Sequence, residues 1–215
     1  MTDKEILSMV DHTLLKADAT KSDIEKICKE AMEYNTASIC INPGYIEYAK
    51  ELLQDKIDIC TVIGFPLGAM TTQSKIFEAK DAIAKGAKEV DMVINISKAK
   101  DKDFDFIEKE IRKIKEAVGN NILKVIIETC LLTEDEKISL CKAVTNANAD
   151  YIKTSTGFST GGATFDDIIL FKKYVGENVK IKAAGGIRTK EDMEKFIELG
   201  ASRLGTSSAI KILNQ

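Results

Sequence analysis

Short apolar runs alternate with longer amphipathic stretches along the whole chain, and this rhythm limits the fold more than any other property. Its 215 residues divide into eight units of about 27, the spacing of βα repeats. The apolar runs predict strands near 9–13, 36–42, 57–64, 88–95, 122–128, 149–154, 179–184 and 201–205. Eight parallel strands with intervening helices predict an α/β protein, a single (β/α)8 TIM barrel spanning 1–215. An open doubly wound sheet has the same rhythm until closure is shown, although the sequence contains neither GxGxxG nor GxxxxGK[ST].

Helix starts are marked by capping boxes, in which a Thr oxygen caps the first turn and an acid three residues on reaches back to the cap. Thr20 with Asp23, Thr133 with Glu136, Thr164 with Asp167 and Thr189 with Asp192 fit this pattern. Apolar residues then recur at helical spacing, as in Phe104, Ile107, Ile111, Ile114 and Val118. Gly86, Gly119, Gly176 and Gly200 are expected helix stops, and Pro43 is expected at a first helical position.

Charge and composition narrow the function. With 31 basic against 34 acidic residues the net charge is -3, which lacks the footprint of a nucleic-acid binder. No run approaches the ~18 apolar residues of a membrane span, and the start, with Asp3, Lys4 and Glu5, does not resemble a signal peptide. The chain is therefore expected in the cytoplasm, acting on small molecules without nucleic acid or membrane. Its five cysteines form no CxxC and read as reduced thiols, and a single histidine, His12, disfavours a histidine metal site. No metal or cofactor is expected.

Strand parity carries the chemistry, because alternate side chains point toward the helices and into the barrel. In 88–95, Val90, Met92 and Ile94 face the helices, which turns Glu89, Asp91, Val93 and Asn95 inward. In 122–128 the inward set is Lys124, Ile126 and Glu128; Lys153 follows with Tyr151, and Lys180 and Lys182 with the next strand. Several lysines thus point into one barrel. An unpaired buried ammonium is costly, so these lysines need acids beside them or must lose protons. Asp91 and Glu128 are the expected partners, while Glu89 and Lys180 are expected at a solvated barrel bottom. A buried ion-pair network that merely fixes the barrel is one reading. The other is an aldolase-type nucleophile: a lysine beside a second cation in a dry pocket is available as the neutral amine and attacks carbonyls to form a Schiff base. Asp91 is then the nearest inward proton shuttle.

After the seventh expected strand comes Gly185-Gly186-Ile187-Arg188-Thr189, and after the eighth Gly205-Thr206-Ser207-Ser208. Barrels commonly hold phosphate in these two loops, where glycines allow close backbone approach and hydroxyls donate. Ordinary turn punctuation is the competing reading for each loop alone. Thr156-Gly157 and Gly161-Gly162 are placed to close over the same anion.

Asp11-His12-Thr13-Leu14-Leu15, Ile63-Gly64-Phe65-Pro66, Glu89-Val90-Asp91-Met92-Val93, Leu123 to Thr129, Lys153-Thr154-Ser155-Thr156-Gly157-Phe158 and Lys182-Ala183-Ala184-Gly185-Gly186-Ile187-Arg188 together resemble the deoxyribose-phosphate aldolase family, in order and over nearly the whole chain. That family consists of small barrels that reversibly cleave 2-deoxy-D-ribose 5-phosphate into glyceraldehyde 3-phosphate and acetaldehyde. The resemblance implies that Lys153 forms the imine, Lys182 lowers its pKa, Asp91 shuttles protons, and Lys124 orients Asp91 or a water unless it pairs with Glu128. It also implies that Asp11 and Thr13 contact substrate hydroxyls, that Cys40 lines the pocket or packs inertly, and that the chain forms a homodimer. His12 is expected to be structural. Some family members carry a C-terminal tail with a tyrosine that reaches the site; here the sequence reads Ile212-Leu213-Asn214-Gln215, so proton exchange at the enamine carbon is expected to rest on Asp91 and water. A keto-acid or transaldolase-type Schiff-base enzyme and a non-catalytic sugar-phosphate sensor remain competing readings.

Overall fold

The computed structural model describes residues 1–214. Eight parallel strands close in chain order into one barrel: β1 (Val10–Leu14), β2 (Ser38–Ile41), β3 (Asp58–Ile63), β4 (Glu89–Val93), β5 (Ile122–Ile126), β6 (Tyr151–Lys153), β7 (Lys180–Ala184) and β8 (Arg203–Thr206). Closure comes from β8 pairing with β1, with Asp11 opposite Gly205, and this excludes the open doubly wound sheet. The helices are α1 (Asp3–Leu7), α2 (Lys21–Tyr34), α3 (Ile46–Leu53), α4 (Thr72–Lys85), α5 (Ile96–Lys100), α6 (Phe104–Val118), α7 (Glu134–Asn146), α8 (Phe165–Tyr174), α9 (Lys190–Glu198) and α10 (Ala209–Leu213). No helix among the described residues is long and apolar enough to cross a membrane.

All four expected capping boxes form, and a fifth, Thr2 with Glu5, opens α1. Gly86 ends α4 in the left-handed region, and Gly200 takes a positive φ after α9. Gly176 does not act this way: α8 is capped by extended Val175, and Gly176 is required because a Cβ there would lie 2.5 Å from Thr145 Cγ2. Pro43 starts a 3-10 turn, Pro43–Tyr45, that leads into α3 rather than starting the α-helix itself.

The core follows strand parity. Val90, Met92, Leu123, Val125, Ile152 and Ile181 face outward and pack with Ile107, Ile111 and Ile114 of α6 and Phe171 of α8. A second cluster joins Ile39, Ile41 and Ile59 to Ile24 and Ile27 of α2 and Ala49 and Leu53 of α3. Burying each such aliphatic side chain stabilises the fold by roughly 1.5–3 kcal/mol, so the outer shell alone can hold the barrel closed. That leaves the inward positions free to carry charge.

Candidate active site

Four strands, β4 to β7, supply the centre of the barrel through pairing register: Asp91 lies opposite Lys124, and Lys153 opposite Lys182. Asp91 is the hub. Its Oδ2 accepts from Lys153 Nζ and Lys182 Nζ, each at 2.7 Å, and its Oδ1 accepts from Lys124 Nζ at 2.9 Å and the Cys60 thiol at 3.2 Å. A second carboxylate, Asp11, accepts from Ser38 Oγ at 2.8 Å, from Arg203 at 2.5 Å and from Lys182. A third, Glu89, pairs with Lys124 and with Arg203 at 3.2 Å. The cluster thus holds four bases, Lys124, Lys153, Lys182 and Arg203, and three carboxylates, Asp11, Glu89 and Asp91.

Burial and charge oppose each other here, and charge wins. Burial resists ionisation of Asp91, but Lys124, Lys153 and Lys182 hold its carboxyl well below the usual carboxylate range. Asp11 is held down in the same way, against burial, by Lys124, Lys182 and Arg203. Burial also presses Lys124 and Lys182 toward neutrality, yet Asp11 and Asp91 raise both above an ordinary lysine. Cys60 is pushed well up, first by burial, and remains a thiol that donates to Asp91. Two groups, Cys40 with Cys60 and Asp91, and Asp11 with Cys60 and Glu89, bring metal-ligating atoms within 4.8 Å of one another, but their carboxylates already hold ammonium groups.

Several expectations change. Glu89 is not at a solvated bottom but buried between Lys124 and Arg203, whereas Lys180 is exposed as expected. Glu128 does not pair with Lys124: β5 ends at Ile126, Glu128 turns into the left-handed region, and its carboxylate bonds Thr156 instead. Asp11 is fully buried and bound to Lys182, so its carboxylate supports a lysine rather than reaching a substrate hydroxyl. Cys40 packs with Cys60, Val62 and Leu15 beneath the mouth. His12 Nε2 bonds Glu30 at 2.8 Å outside the barrel, a structural place.

Above Lys153 opens a cavity of about 290 Å³. Thr13, Lys153, Thr156 and Gly157 line one side, and Gly185, Gly186, Gly205, Ser207 and Ser208 the other. Backbones meet closely between the loops after β6 and β7, since a Cβ on Gly162 would stand 2.4 Å from the Gly185 carbonyl carbon, and Gly185 and Gly186 both have positive φ. Phe158, also on the wall, packs edge-on to Phe65 with centroids 5.3 Å apart. Arg188 does not line the cavity; its backbone N–H donates to Asp192 at 2.9 Å. The ammonium at the mouth belongs to Lys16. Sequence reasoning missed Arg203, Cys60, Ser38 and Lys16, although Arg203 has the parity of inward Gly205 with Leu204 outward between them.

Comparison with known proteins shows the family of the chain. The sequence profile of the DeoC/LacD family aldolases matches residues 6–210. The deoxyribose-phosphate aldolase of Clostridium botulinum (strain Alaska E43 / Type E3) is 64% identical over 213 residues, covering 99% of this chain and 96% of the relative. That of Clostridioides difficile (strain 630) is 62% identical, covering 98% and 96% respectively. A solved deoxyribose phosphate aldolase from Aeropyrum pernix, described as tetrameric, superposes with a TM-score of 0.91 at 30% identity, covering 99% of this chain and 91% of that one. The chain is a member of the DeoC/LacD family of aldolases.

Proposed function

We propose that this chain is a deoxyribose-phosphate aldolase of the Schiff-base class, cleaving 2-deoxy-D-ribose 5-phosphate to D-glyceraldehyde 3-phosphate and acetaldehyde. Of the four bases in the cluster only Lys153 also lines the cavity, so it alone joins the charged cluster to a space that can receive a carbonyl. With every group ionised the cluster has four positive and three negative charges; release of one proton balances it and supplies an amine. Lys182, held charged by Asp11 and Asp91, keeps a cation beside that amine.

In the cleavage direction the Lys153 amine adds to the C1 aldehyde, and loss of water from the carbinolamine leaves an iminium. Asp91, 2.7 Å from Lys153 Nζ, is placed to carry the protons of these steps. Transfer of the C3 hydroxyl proton to Asp91, directly or through water, breaks the C2–C3 bond, with the electron pair drawn into the iminium. Glyceraldehyde 3-phosphate leaves and an enamine stays on Lys153. Protonation of the enamine carbon and hydrolysis then release acetaldehyde and restore the amine. Lys124, buried between Glu89 and Asp91, fixes the orientation of Asp91. Thr13 on the wall meets the sugar hydroxyls, and the phosphate rests among Gly185, Gly186, Gly205, Ser207 and Ser208, with the charge of Lys16 nearby. The enzyme works as one cytoplasmic domain without metal or cofactor, and the resemblance favours a homodimer.

Borohydride trapping with acetaldehyde, followed by peptide mapping, tests this reading. An N-ethyl group on Lys153 is expected, and none in a Lys153→Leu variant that keeps its fold and loses turnover. An adduct on Lys182 would exchange the roles of the two lysines, and no adduct on a folded chain that still binds the sugar phosphate would leave a sensor.

A further inference from the structure

The lysine cluster makes no use of Glu128. This residue lies two positions beyond β5, is 2% exposed, and adopts φ 55° and ψ 67°, a conformation that a long side chain takes only when its surroundings hold it there. Its carboxylate serves mainly Thr156, with only a long contact of 4.0 Å from the Cys130 thiol to Oε1 besides. Glu128 Oε2 accepts the Thr156 hydroxyl at 2.5 Å, and its two oxygens share the Thr156 backbone N–H at 3.2 and 3.3 Å. The Thr156 oxygen in turn accepts from the Phe158 N–H at 3.0 Å. Glu128, Thr156 and Phe158 thus form a chain of hydrogen bonds from the end of β5 into the loop after Lys153, and both Thr156 and Phe158 line the cavity.

A carboxylate only accepts, so the Thr156 proton is committed to Glu128 and is not offered to an anion in the cavity. A negative charge beside a phosphate site opposes binding unless it fixes something binding needs. We infer that Glu128 is a positioning residue, which locks the loop after β6 in the conformation that receives the phosphate end of the substrate. The inference rests on the deoxyribose-phosphate aldolase reading. Glu128 therefore acts on affinity for the phosphorylated substrate and not on imine chemistry.

Steady-state kinetics of Glu128→Ala and Glu128→Gln test this with 2-deoxyribose 5-phosphate and with unphosphorylated 2-deoxyribose. Glu128→Ala is expected to raise KM for the phosphorylated sugar about tenfold, with kcat within about threefold, and to leave kcat/KM for the plain sugar within about threefold. Glu128→Gln, whose amide oxygen still accepts the Thr156 N–H, is expected to restore most of the affinity. Thr156→Val, which removes the hydroxyl, is expected to raise KM for the phosphorylated sugar only, and it carries the test if Glu128→Ala does not fold. Equal losses on both sugars, a lowered kcat at unchanged KM, or an unchanged KM would overturn the inference. A wild-type chain inactive on 2-deoxyribose 5-phosphate would overturn the functional reading instead.

Discussion

Lysine is buried on both sides of this sheet. Outside the barrel, Lys75 of α4 is fully buried, donating to the Val93 carbonyl at 2.8 Å and to Glu110 of α6 at 2.9 Å; Glu110 accepts in addition from the Thr72 hydroxyl at 3.0 Å. One cation meets one carboxylate there, sealed from the cavity. Inside, four bases share three carboxylates, and Lys153 faces the cavity. The electrostatic outcomes are opposite: burial pushes the Lys75 ammonium down against the pull of Glu110, whereas Lys124 and Lys182, equally buried but each facing Asp11 and Asp91, are pushed up. Residue type and burial therefore do not distinguish a catalytic lysine from a structural one. The charge count around it and its access to a cavity do.

The largest expected effects come from unbalancing the inner cluster. Asp91→Asn leaves four bases against two carboxylates, so kcat is expected to fall on the order of 10²–10⁴-fold, the contribution of a positioned proton-transfer group. The fold should also lose about 3–5 kcal/mol in urea titration, as when one partner of a buried pair is removed. Lys182→Leu leaves three bases and three carboxylates, which removes the excess positive charge of the cluster, so the pH–rate profile should move to higher pH. An unchanged profile at normal rate would remove Lys182 from the mechanism.

The outer pair should behave as structure only. Lys75→Met strands the buried Glu110 and is expected to cost about 3–5 kcal/mol, while Lys75→Met with Glu110→Leu should recover most of that loss. The double variant should keep kcat/KM within about threefold of wild type. A double variant that regains stability but not activity would dissolve the contrast and tie the outer pair to the site through Val93, two residues from Asp91.

How much of this was legible in the sequence follows from where alternation holds. Within β4 to β7 every second side chain does point inward, so Asp91, Lys124, Lys153 and Lys182 were readable from their apolar neighbours alone. Glu128 departs from the alternation because the strand ends at Ile126 and a positive φ turns the side chain elsewhere. The contact between Asp11 and Arg203 is illegible in the sequence for another reason. Which inward residues touch across a closed barrel depends on register, and Asp11 meets Arg203 only because β8 pairs with β1. Lys75 carried no signal, since a lysine in a first helical turn looks solvated until a neighbouring helix covers it.

Against pH the inner carboxylates and the outer lysine act with the same sign, at opposite ends of the scale. Asp11 and Asp91 are held below their unfolded values, so their contribution to stability is complete above about pH 4–5 and lost as pH falls toward the folded values. Lys75 is held below its unfolded value too, but as a base. Between its folded value and about 10.4 the unfolded chain binds more protons, so stability rises with pH there. Urea titrations should therefore show wild type gaining on the Lys75→Met, Glu110→Leu variant as pH increases through the alkaline range. A gap that stays constant would mean the fold does not perturb Lys75.

The smallest effect is expected where the geometry looks the same but water is present. Lys85 and Asp81, four residues apart on α4, approach to 2.7 Å, the same separation as Lys153 and Asp91. Their side chains are 37% and 40% exposed, against 4% and 0% for the inner pair. In water the attraction is screened, and holding two long side chains together costs entropy that offsets most of the gain. Lys85→Ala and Asp81→Ala should thus unfold in urea at midpoints indistinguishable from wild type, with no coupling in the double variant. If this exposed pair proved as strongly coupled as Lys153 with Asp91, distance alone would set the strength of an ion pair here, and enclosure of the inner cluster would explain nothing.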